Sequence, residues 1–339
     1  MDFELSEDQQ ALGGAARDLL DDHASPARVR AVVDGGLTHD DVLWKAMIEQ
    51  GWLGVEQPES SDGMGWGFVE IAVLLEELGR HAAPAPFAPT ILALAALRGT
   101  EWEDRLANGA IGAVAWGDDT DRQLVPYAPV ADVAVIVLGE ELVVHDLTMG
   151  ERPTREPAMD VTRCVGWIPT DRAGATRIDA GPDAATTLID RGAAAVAAEA
   201  LGGASRVLDM TVEHAKTRVQ FGQPIGSFQA VKHRCADMLV DVEGMRSTVY
   251  HAAWSLAAAD PDASVAASTA KVWSGDAARR VMASGLQVHG GIGFTWEHDL
   301  HLYMKRAQLD GLTFGTSVTH RQRLAQLLRA RVEAGASIV

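Results

Sequence analysis

The sequence is poor in cysteine and has no long apolar run. It contains two cysteines among 339 residues, Cys164 and Cys235, and neither belongs to a CxxC pair. That number is too small for a disulfide framework and is typical of a reducing compartment. Gly, Asp or Glu interrupts every apolar run before the length of about 18 residues that a membrane helix needs. The N-terminus is acidic, unlike a signal peptide. We therefore expect a cytoplasmic protein with no membrane span.

Basic residues are also scarce relative to acidic ones. The chain has 29 Lys and Arg against 47 Asp and Glu, which gives a net charge of −18 at pH 7. Nucleic-acid binding needs clustered Lys and Arg opposite the phosphates, and this sequence has no such run. The 11 histidines show no spacing typical of a metal site, and no GxSxG motif is present. Nucleic acid, a metal and serine-hydrolase chemistry are therefore not expected.

What the sequence does contain is helical periodicity at both ends and β-type patterning between them. Residues 1–108 have apolar side chains at helical spacing, and Ser6 with Gln9 forms a capping box before the first helix. Residues 109–182 hold a buried-strand run at 133–138 followed by a hairpin partner at 142–144, and several prolines there oppose long helices. Residues 183–339 are helical again. The predicted fold is α+β and mainly α, with three domains at these boundaries.

Individual helices can be predicted from the periodic segments. In the first domain they fall at about 42–50, 68–78 and 90–97, the second of them ending at Gly79. In the third domain they fall at 184–216, 229–256, 264–288 and 320–334. Gly202 and Gly203 inside the first of these either weaken the helix or permit close packing against another helix.

A first segment that can carry chemistry follows the helix at 184–216. It runs RVQFGQPIGSFQ, from Arg218 to Gln229. An arginine at a helix end followed by Phe221 and Gly222 suits a pyrophosphate, because the guanidinium offers two parallel donors and glycine lets the backbone turn tightly. Considered alone, the segment is better explained as an ordinary joint between two helices with a surface arginine.

A second such segment, QVHGGIGFT, runs from Gln287 to Thr295. It predicts a helix end followed by glycines that permit the close approach of a ligand, and Gln287 and His289 can address a flat polar ring. Considered alone, it is equally a helix cap and a turn with an interior histidine. It is not a Rossmann fingerprint, because GxGxxG and a surrounding βαβ unit are absent.

Together, in this order on a helical, β and helical chain, the two segments resemble the acyl-CoA dehydrogenase family. Segments 49–58 and 76–80 are similar to signatures of its helical domain, and segment 296–306 continues the resemblance. The resemblance covers essentially the whole chain. It implies an N-terminal helical domain, a small middle β-domain and a C-terminal four-helix bundle.

The resemblance also implies chemistry. In this family a Glu removes the α-proton of an acyl-CoA thioester while the flavin of FAD takes the β-hydride, and FAD lies across a subunit interface. Thr316 matches a threonine that contacts FAD. The residues that match the part contributed to the FAD of the neighbouring subunit are Arg218, Phe221, Gln229, Gln287, Gly290 and Gly291.

The departures from the family pattern concern the catalytic base. The family's Tyr-Glu-Gly-Thr is Thr-Phe-Gly-Thr here, so Phe314 occupies the base position. The second position that some members use falls on Gly192. Asp190 is a substitute candidate only, because a shift of two residues points to another face of a helix. Segment 115–119 also lacks the Gly-Ser-Asp that the family carries beside the flavin, and the β-region looks short.

These matches and departures favour a non-catalytic subunit of an α2β2-type acyl-CoA dehydrogenase. A homologous catalytic subunit would supply the base, a bulky or steroid side-chain CoA is a candidate substrate, and an electron-transfer flavoprotein is a candidate acceptor. Two alternatives remain open. One is a self-sufficient homo-oligomeric flavoenzyme with a relocated base such as Asp190, and the other is a structural paralogue that binds no flavin.

Overall fold

The computed structural model describes residues 4–61, 63–116, 121–170 and 174–335. Part of segment 115–119, whose missing Gly-Ser-Asp was noted above, lies outside these residues. The chain folds in the predicted order of helices, strands and helices, and it is mainly helical. Among the described residues no helix combines the length and the apolar character that crossing a membrane requires.

The N-terminal helices enclose an apolar core. Ser6 and Gln9 form the predicted capping box: the Ser6 hydroxyl accepts from the Gln9 amide at 3.2 Å, and the Gln9 side chain accepts from the Ser6 amide at 2.9 Å. Two of these helices, the second and the sixth, were not predicted. The helices are α1 (Glu7–His23), α2 (Pro26–Asp34), α3 (Asp41–Glu49), α4 (Phe68–Arg80), α5 (Phe87–Ala96) and α6 (Glu101–Ala107).

Helix α4 corrects the prediction that Gly79 ends it. The helix continues to Arg80, and Gly79 instead allows close packing, since an added β-carbon would lie 1.9 Å from the Glu199 carbonyl oxygen. On the facing helix, a β-carbon on Gly202 would lie 1.8 Å from the Glu76 carbonyl oxygen. The pair of glycines therefore serves close helix packing, which the sequence left as one of two readings for Gly202.

The middle region forms two small sheets. In the first, with strand order β1-β3-β4-β7, β1 and β3 are parallel and the other pairs are antiparallel. The predicted hairpin is confirmed as β3 and β4, joined at Gly139, which has a φ of 63°. The second sheet has the order β2-β6-β5. The strands are β1 (Gly112–Ala115), β2 (Arg122–Pro126), β3 (Val133–Leu138), β4 (Glu141–Asp146), β5 (Arg155–Glu156), β6 (Val165–Pro169) and β7 (Thr176–Ile178).

The C-terminal region is a bundle of long helices. Its first helix is 34 residues long, about 50 Å at the usual rise per residue, and its buried face is rich in alanine and glycine. The tenth helix was not predicted as one, because the segment was noted only for its resemblance. The helices are α7 (Ala184–Thr217), α8 (Gln229–Ala257), α9 (Ala263–His289), α10 (Leu300–Leu312) and α11 (Ser317–Glu333), with a short hairpin of β8 (Val219–Gln220) and β9 (Gln223–Pro224) between α7 and α8.

Candidate functional site

The structure brings the two sequence segments together at the adjacent ends of α7 and α9. The His214 ring of α7 stacks on the His289 ring of α9, with centroids 4.5 Å apart and an angle of 22° between the planes. Arg218 follows one turn after His214, whose carbonyl accepts from the Arg218 amide at 2.9 Å. Gly290 follows His289 directly. The arginine and the glycine turn, far apart in sequence, therefore face solvent side by side.

Arg218 is available for a ligand from outside the chain. Its side chain is exposed and makes no ion pair or hydrogen bond with the described residues. A guanidinium without an internal partner is well suited to bind an anion such as a phosphate, which accepts two parallel hydrogen bonds. The beginning of α8 brings the exposed Gln229 to the same hairpin region.

Phe221 is the most exposed large apolar side chain of this region. Its exposed fraction is 91%, and its φ is 52°, a left-handed value that a bulky residue seldom adopts. The following Gly222, at φ 78°, completes the tight hairpin. Among the described residues, the Phe221 ring contacts one other ring, the edge of Phe228, with the two ring centroids 6.0 Å apart. A strained backbone that presents a phenyl ring to solvent indicates a surface that another molecule covers.

The glycine turn after α9 is open on its outer side. Gly290 has a φ of 63°, and a β-carbon added at Gly290 or Gly291 would meet nothing within 4 Å. The backbone can therefore be approached closely there, as a nucleotide requires. Gln287, in the last turn of α9, is exposed at the same end.

Apolar side chains are exposed around this group. A monomeric protein seldom exposes several large apolar side chains together, unless they belong to a binding surface. We call the segments Arg218–Gln229 and Gln287–Trp296 together the half-site. Its exposed apolar residues, with their exposed fractions, are Val219 (53%), Phe221 (91%), Ile292 (45%), Phe294 (70%) and Trp296 (67%).

Thr316 does not belong to this group. Its hydroxyl caps α11 by accepting from the Thr319 amide at 3.2 Å. The next residue, Ser317, lies against Gly275, where an added β-carbon would be 2.5 Å from the Ser317 hydroxyl. Gly275 precedes Gln287 by roughly three turns of α9. Thr316 therefore lies in a different place from the half-site.

The two positions expected for a catalytic base are in direct contact with each other. Phe314 is buried, and a β-carbon added to Gly192 would fall 2.2 Å from its ring. The Phe314 ring also stacks on the Trp116 ring, with the ring centroids 4.4 Å apart and an angle of 20° between the planes. His320 donates from Nε2 to the Phe314 carbonyl at 2.8 Å and holds this residue at a φ of 55°. The ring thus fills the space that the missing side chain of Gly192 leaves.

Behind the Trp116 and Phe314 rings lies a small cavity with mostly apolar walls. Its volume is about 40 Å³, enough for a few water molecules and far below the ~300–1,000 Å³ of an ordinary ligand site. Tyr127 lines it with a buried hydroxyl that has no partner among the described residues. Burial raises the pKa of Tyr127 far above its ordinary value, so the phenol stays neutral.

Glu199 is the carboxylate in the cavity wall, and it is bound in ion pairs. Arg163 donates to its Oε1, and Arg306 donates to the same oxygen at 3.2 Å. Arg163 also donates to Asp310 at 2.6 Å, and the surrounding carboxylates raise the pKa of this arginine despite its burial. Two buried arginines thus bind the same oxygen of Glu199 and fix this carboxylate in the cavity wall.

Asp190 lies outside the cavity lining. One of its oxygens pairs with Arg323, and the other accepts from the Ser264 hydroxyl at 2.5 Å. The geometry therefore opposes Asp190 as a relocated base, since the two oxygens face α9 and α11.

Four side chains that shape these places were not singled out from the sequence, namely Trp116, Tyr127, His214 and His298. His298 contacts the His289 ring at 4.6 Å in an edge arrangement. The importance of these side chains comes from contacts between residues that are distant in sequence. No local sequence pattern could therefore have identified them.

Comparison with known proteins gives a consistent result along the chain. The family model described as the acyl-CoA dehydrogenase N-terminal domain matches residues 6–101, and that of the C-terminal domain matches residues 179–328. Acyl-CoA dehydrogenase IpdE2 of Mycolicibacterium smegmatis is 38% identical over 325 residues, which are 94% of this chain and 98% of that protein.

Two solved structures are similar over nearly the whole chain. The ChsE4-ChsE5 complex from Mycobacterium tuberculosis contains a chain that is 29% identical with a TM-score of 0.86, and the match covers 97% of this chain and 99% of that one. A Tcur3481-Tcur3483 steroid ACAD variant contains another, with 29% identity, a TM-score of 0.85 and coverage of 96% and 99%.

Proposed function

Since this chain belongs to the acyl-CoA dehydrogenase family, we propose that it acts as the non-catalytic subunit of a heteromeric acyl-CoA dehydrogenase. Its part is to contribute the half-site to FAD bound mainly by a homologous catalytic subunit, which supplies the base. The substrate class that we propose is an acyl-CoA with a bulky acyl group, such as a steroid side chain.

One observation carries this proposal. The two positions expected for a base, Phe314 and Gly192, hold no carboxylate and pack against each other, and the cavity behind them has a volume of about 40 Å³. A flavin ring and an acyl chain do not fit such a space. The half-site, by contrast, is open to solvent, and its Arg218 side chain pairs with no described residue. The residues expected to bind the cofactor and the positions expected for the base therefore lie in two separate places.

The half-site suits the pyrophosphate side of FAD. Arg218 would bind the phosphate oxygens through its two parallel donors, and Gly290 and Gly291 would let the backbone approach them, since a β-carbon there meets open space. Phe221 would pack on a flat group of the nucleotide. Bound FAD would accept the hydride in the reaction, while the residues of this chain would hold and orient it.

The nature of the partner is proposed from the chain's own surface and from its neighbours. Large apolar side chains stand exposed beside Arg218, and a second protein that covers them would also close the nucleotide site. One neighbour is a complex of two differently named chains, and another is named as a steroid ACAD. We therefore propose a homologous chain as the partner and a steroid-type thioester as a candidate substrate.

Co-purification with flavin stoichiometry tests the proposal. The chain would be produced alone, and then together with a homologous chain that carries a Glu at the base position. We expect little or no flavin absorbance from the chain alone, and one FAD for each pair of unlike chains in the complex. Dehydrogenation of a steroid side-chain CoA should require both chains.

Two outcomes contradict the proposal. Full turnover by the yellow, isolated chain would identify a self-sufficient enzyme with a relocated base. A colourless complex with every candidate partner would identify a structural paralogue that binds no flavin.

A further inference from the structure

Three histidine rings in contact join the two segments of the half-site. His214 belongs to α7, His289 ends α9, and His298 lies just before α10. His289 is the central ring: His214 stacks on it at 4.5 Å, and His298 meets it edge-on at 4.6 Å. The glycine turn Gly290–Phe294 leaves directly from this central ring. Its orientation therefore depends on the contact of the three rings.

The hydrogen bond of His289 identifies its tautomer. Nδ1 lies 2.8 Å from the Gly285 carbonyl oxygen, which can only accept, so Nδ1 carries the hydrogen. In the neutral ring Nε2 then bears a lone pair, and this nitrogen is buried without a partner among the described residues. Protonation would place a buried N–H there with no acceptor, which is costly in a folded protein.

The charges that face the cluster also oppose protonation. Arg218 faces His214 from the end of α7, and Arg30 of α2 faces His298. Asp299 is the acidic group near His298, and it already accepts from Arg30 at 2.7 Å. Each ring in addition repels a charge on its neighbour. Burial is the first cause that lowers the pKa of each of the three histidines below 6.5, and for His214 and His298 the charges of the neighbouring rings are the next.

The turn is held on its far side by α2. Arg30 donates to the Trp296 carbonyl at 2.5 Å, and the Trp296 ring contacts the His301 ring and the Lys305 ammonium of α10. At its other end the turn begins at His289 and packs through the buried Gly293 against His289, Leu286 and Leu300. Separation of the rings would move His289 and disturb this inner contact, whereas the outer side at Gly290 and Gly291 is open. The exposed Phe294 and Trp296 lie on this segment.

We propose that His289, held between His214 and His298, positions the Gly290–Phe294 turn of the half-site, and that it does so only while the three rings are uncharged. Acidification would then separate the rings and loosen the turn, so that the half-site is formed at neutral pH and lost in acid. The consequence of this loosening for FAD shared with a partner rests on the proposed function. The loosening of the turn itself is a property of this chain alone.

The sign of the pH dependence follows from linkage. Because the folded pKa values lie below 6.5, the unfolded or opened segment binds more protons than the folded one as the pH falls. The contribution of the cluster to stability is therefore present above about pH 6.5, is lost progressively as the pH falls below 6.5, and the loss is complete below the folded pKa values.

Hydrogen exchange of the isolated chain, followed by mass spectrometry on peptides covering residues 287–299, tests this. After correction for the intrinsic rate, we expect protection to be lower by on the order of tenfold at about pH 5.5 than at about pH 7.5. His214→Phe keeps a flat ring in the stack but cannot be protonated, so it should remove a large part of this loss. His251→Phe, at an exposed histidine of α8, is the matched control and should keep the wild-type pH dependence.

Comparing protection at the two pH values distinguishes an effect of ring protonation from an effect of packing alone. A packing defect would lower protection equally at both pH values. Equal wild-type protection at both pH values, or a full acid-induced loss in His214→Phe, would overturn the proposal. If His214→Phe does not fold by circular dichroism, His298→Phe takes its place with the same expectation. FAD stoichiometry with the partner is measured at neutral pH, so failure of the proposed function would leave this result unaffected.

Discussion

The half-site and the small cavity beside Phe314 are opposites in structure. The half-site exposes open glycines, large apolar side chains and an arginine that pairs with no described residue, whereas the cavity is lined by the stacked Trp116 and Phe314 rings and bordered by buried ion pairs. An enzyme that uses both places itself would keep the second one open to substrate. This difference is what we expect if, as proposed, the exposed surface binds a neighbouring subunit and the internal site does not hold the substrate.

The largest expected effect concerns the ion pairs behind the cavity. Arg163→Met should lower the free energy of unfolding by about 3–5 kcal/mol, because it leaves Asp310 buried without its cation and weakens the hold on Glu199. Urea unfolding followed by circular dichroism measures this. The control is Arg177→Met, whose partner Glu141 is 3.3 Å away and whose own side chain is 72% exposed; it should cost about 0–1 kcal/mol. Equal effects would show that the cavity wall is not held by its charges.

The next effect concerns the half-site. Arg218→Ala should weaken FAD binding in the complex with the partner by about 1.5–3 kcal/mol, the usual contribution of a hydrogen bond to a charged group. That corresponds to a loss of affinity of about tenfold or more. FAD release on dilution, followed by flavin fluorescence, measures it, while the unfolding midpoint of the chain alone should not change.

Arg329→Ala is the matched control for Arg218, since Arg329 is an exposed arginine of α11 away from the half-site. If Arg218→Ala left the FAD affinity unchanged, or if Arg329→Ala lowered it equally, the half-site would not be a specific FAD-binding surface.

Much of the fold could be predicted from the sequence, because the long helices and the β3–β4 hairpin have clear periodicity. Helix α6 has only 7 residues, and the buried face of α10 includes His301, Arg306 and Asp310, so an apolar pattern does not mark either of them. Helix α2 has an apolar pattern similar to that of α1 and could have been predicted. For the site, the resemblance identified Arg218 and Phe314 as positions of interest. It could not reveal that Phe314 fills the place of Gly192, or that His214 brings Arg218 beside Gly290, because these contacts join residues far apart in the chain.

A smaller effect tests how closely the Phe314 ring packs against Gly192. Gly192→Ala should lower the free energy of unfolding by about 1–3 kcal/mol, because its β-carbon would overlap the Phe314 ring. In a Phe314→Ala background the same change should cost much less, and thermal or urea unfolding of the four proteins measures the coupling.

The chain offers a matched glycine in Gly311 of α10, where an added β-carbon meets nothing within 4 Å. Gly311→Ala should be neutral or stabilise by up to about 1 kcal/mol. Additive effects of Gly192→Ala and Phe314→Ala would mean that the ring does not fill the space beside Gly192.

The smallest expected effect, that of removing the Tyr127 hydroxyl, tests whether the cavity contains water. The Tyr127 hydroxyl is buried and unpartnered among the described residues, so Tyr127→Phe should change the free energy of unfolding by less than about 1 kcal/mol if water bonds it, and should stabilise if the cavity is dry. Tyr250→Phe is the comparison, because that hydroxyl donates to the Glu76 carboxylate at 2.7 Å and its loss should cost about 1.5–3 kcal/mol. A destabilisation by Tyr127→Phe as large as that by Tyr250→Phe would show that the cavity still holds a specific polar partner for this hydroxyl. The cavity would then differ from the half-site in how easily a ligand can reach it, and not in having lost its polar contacts.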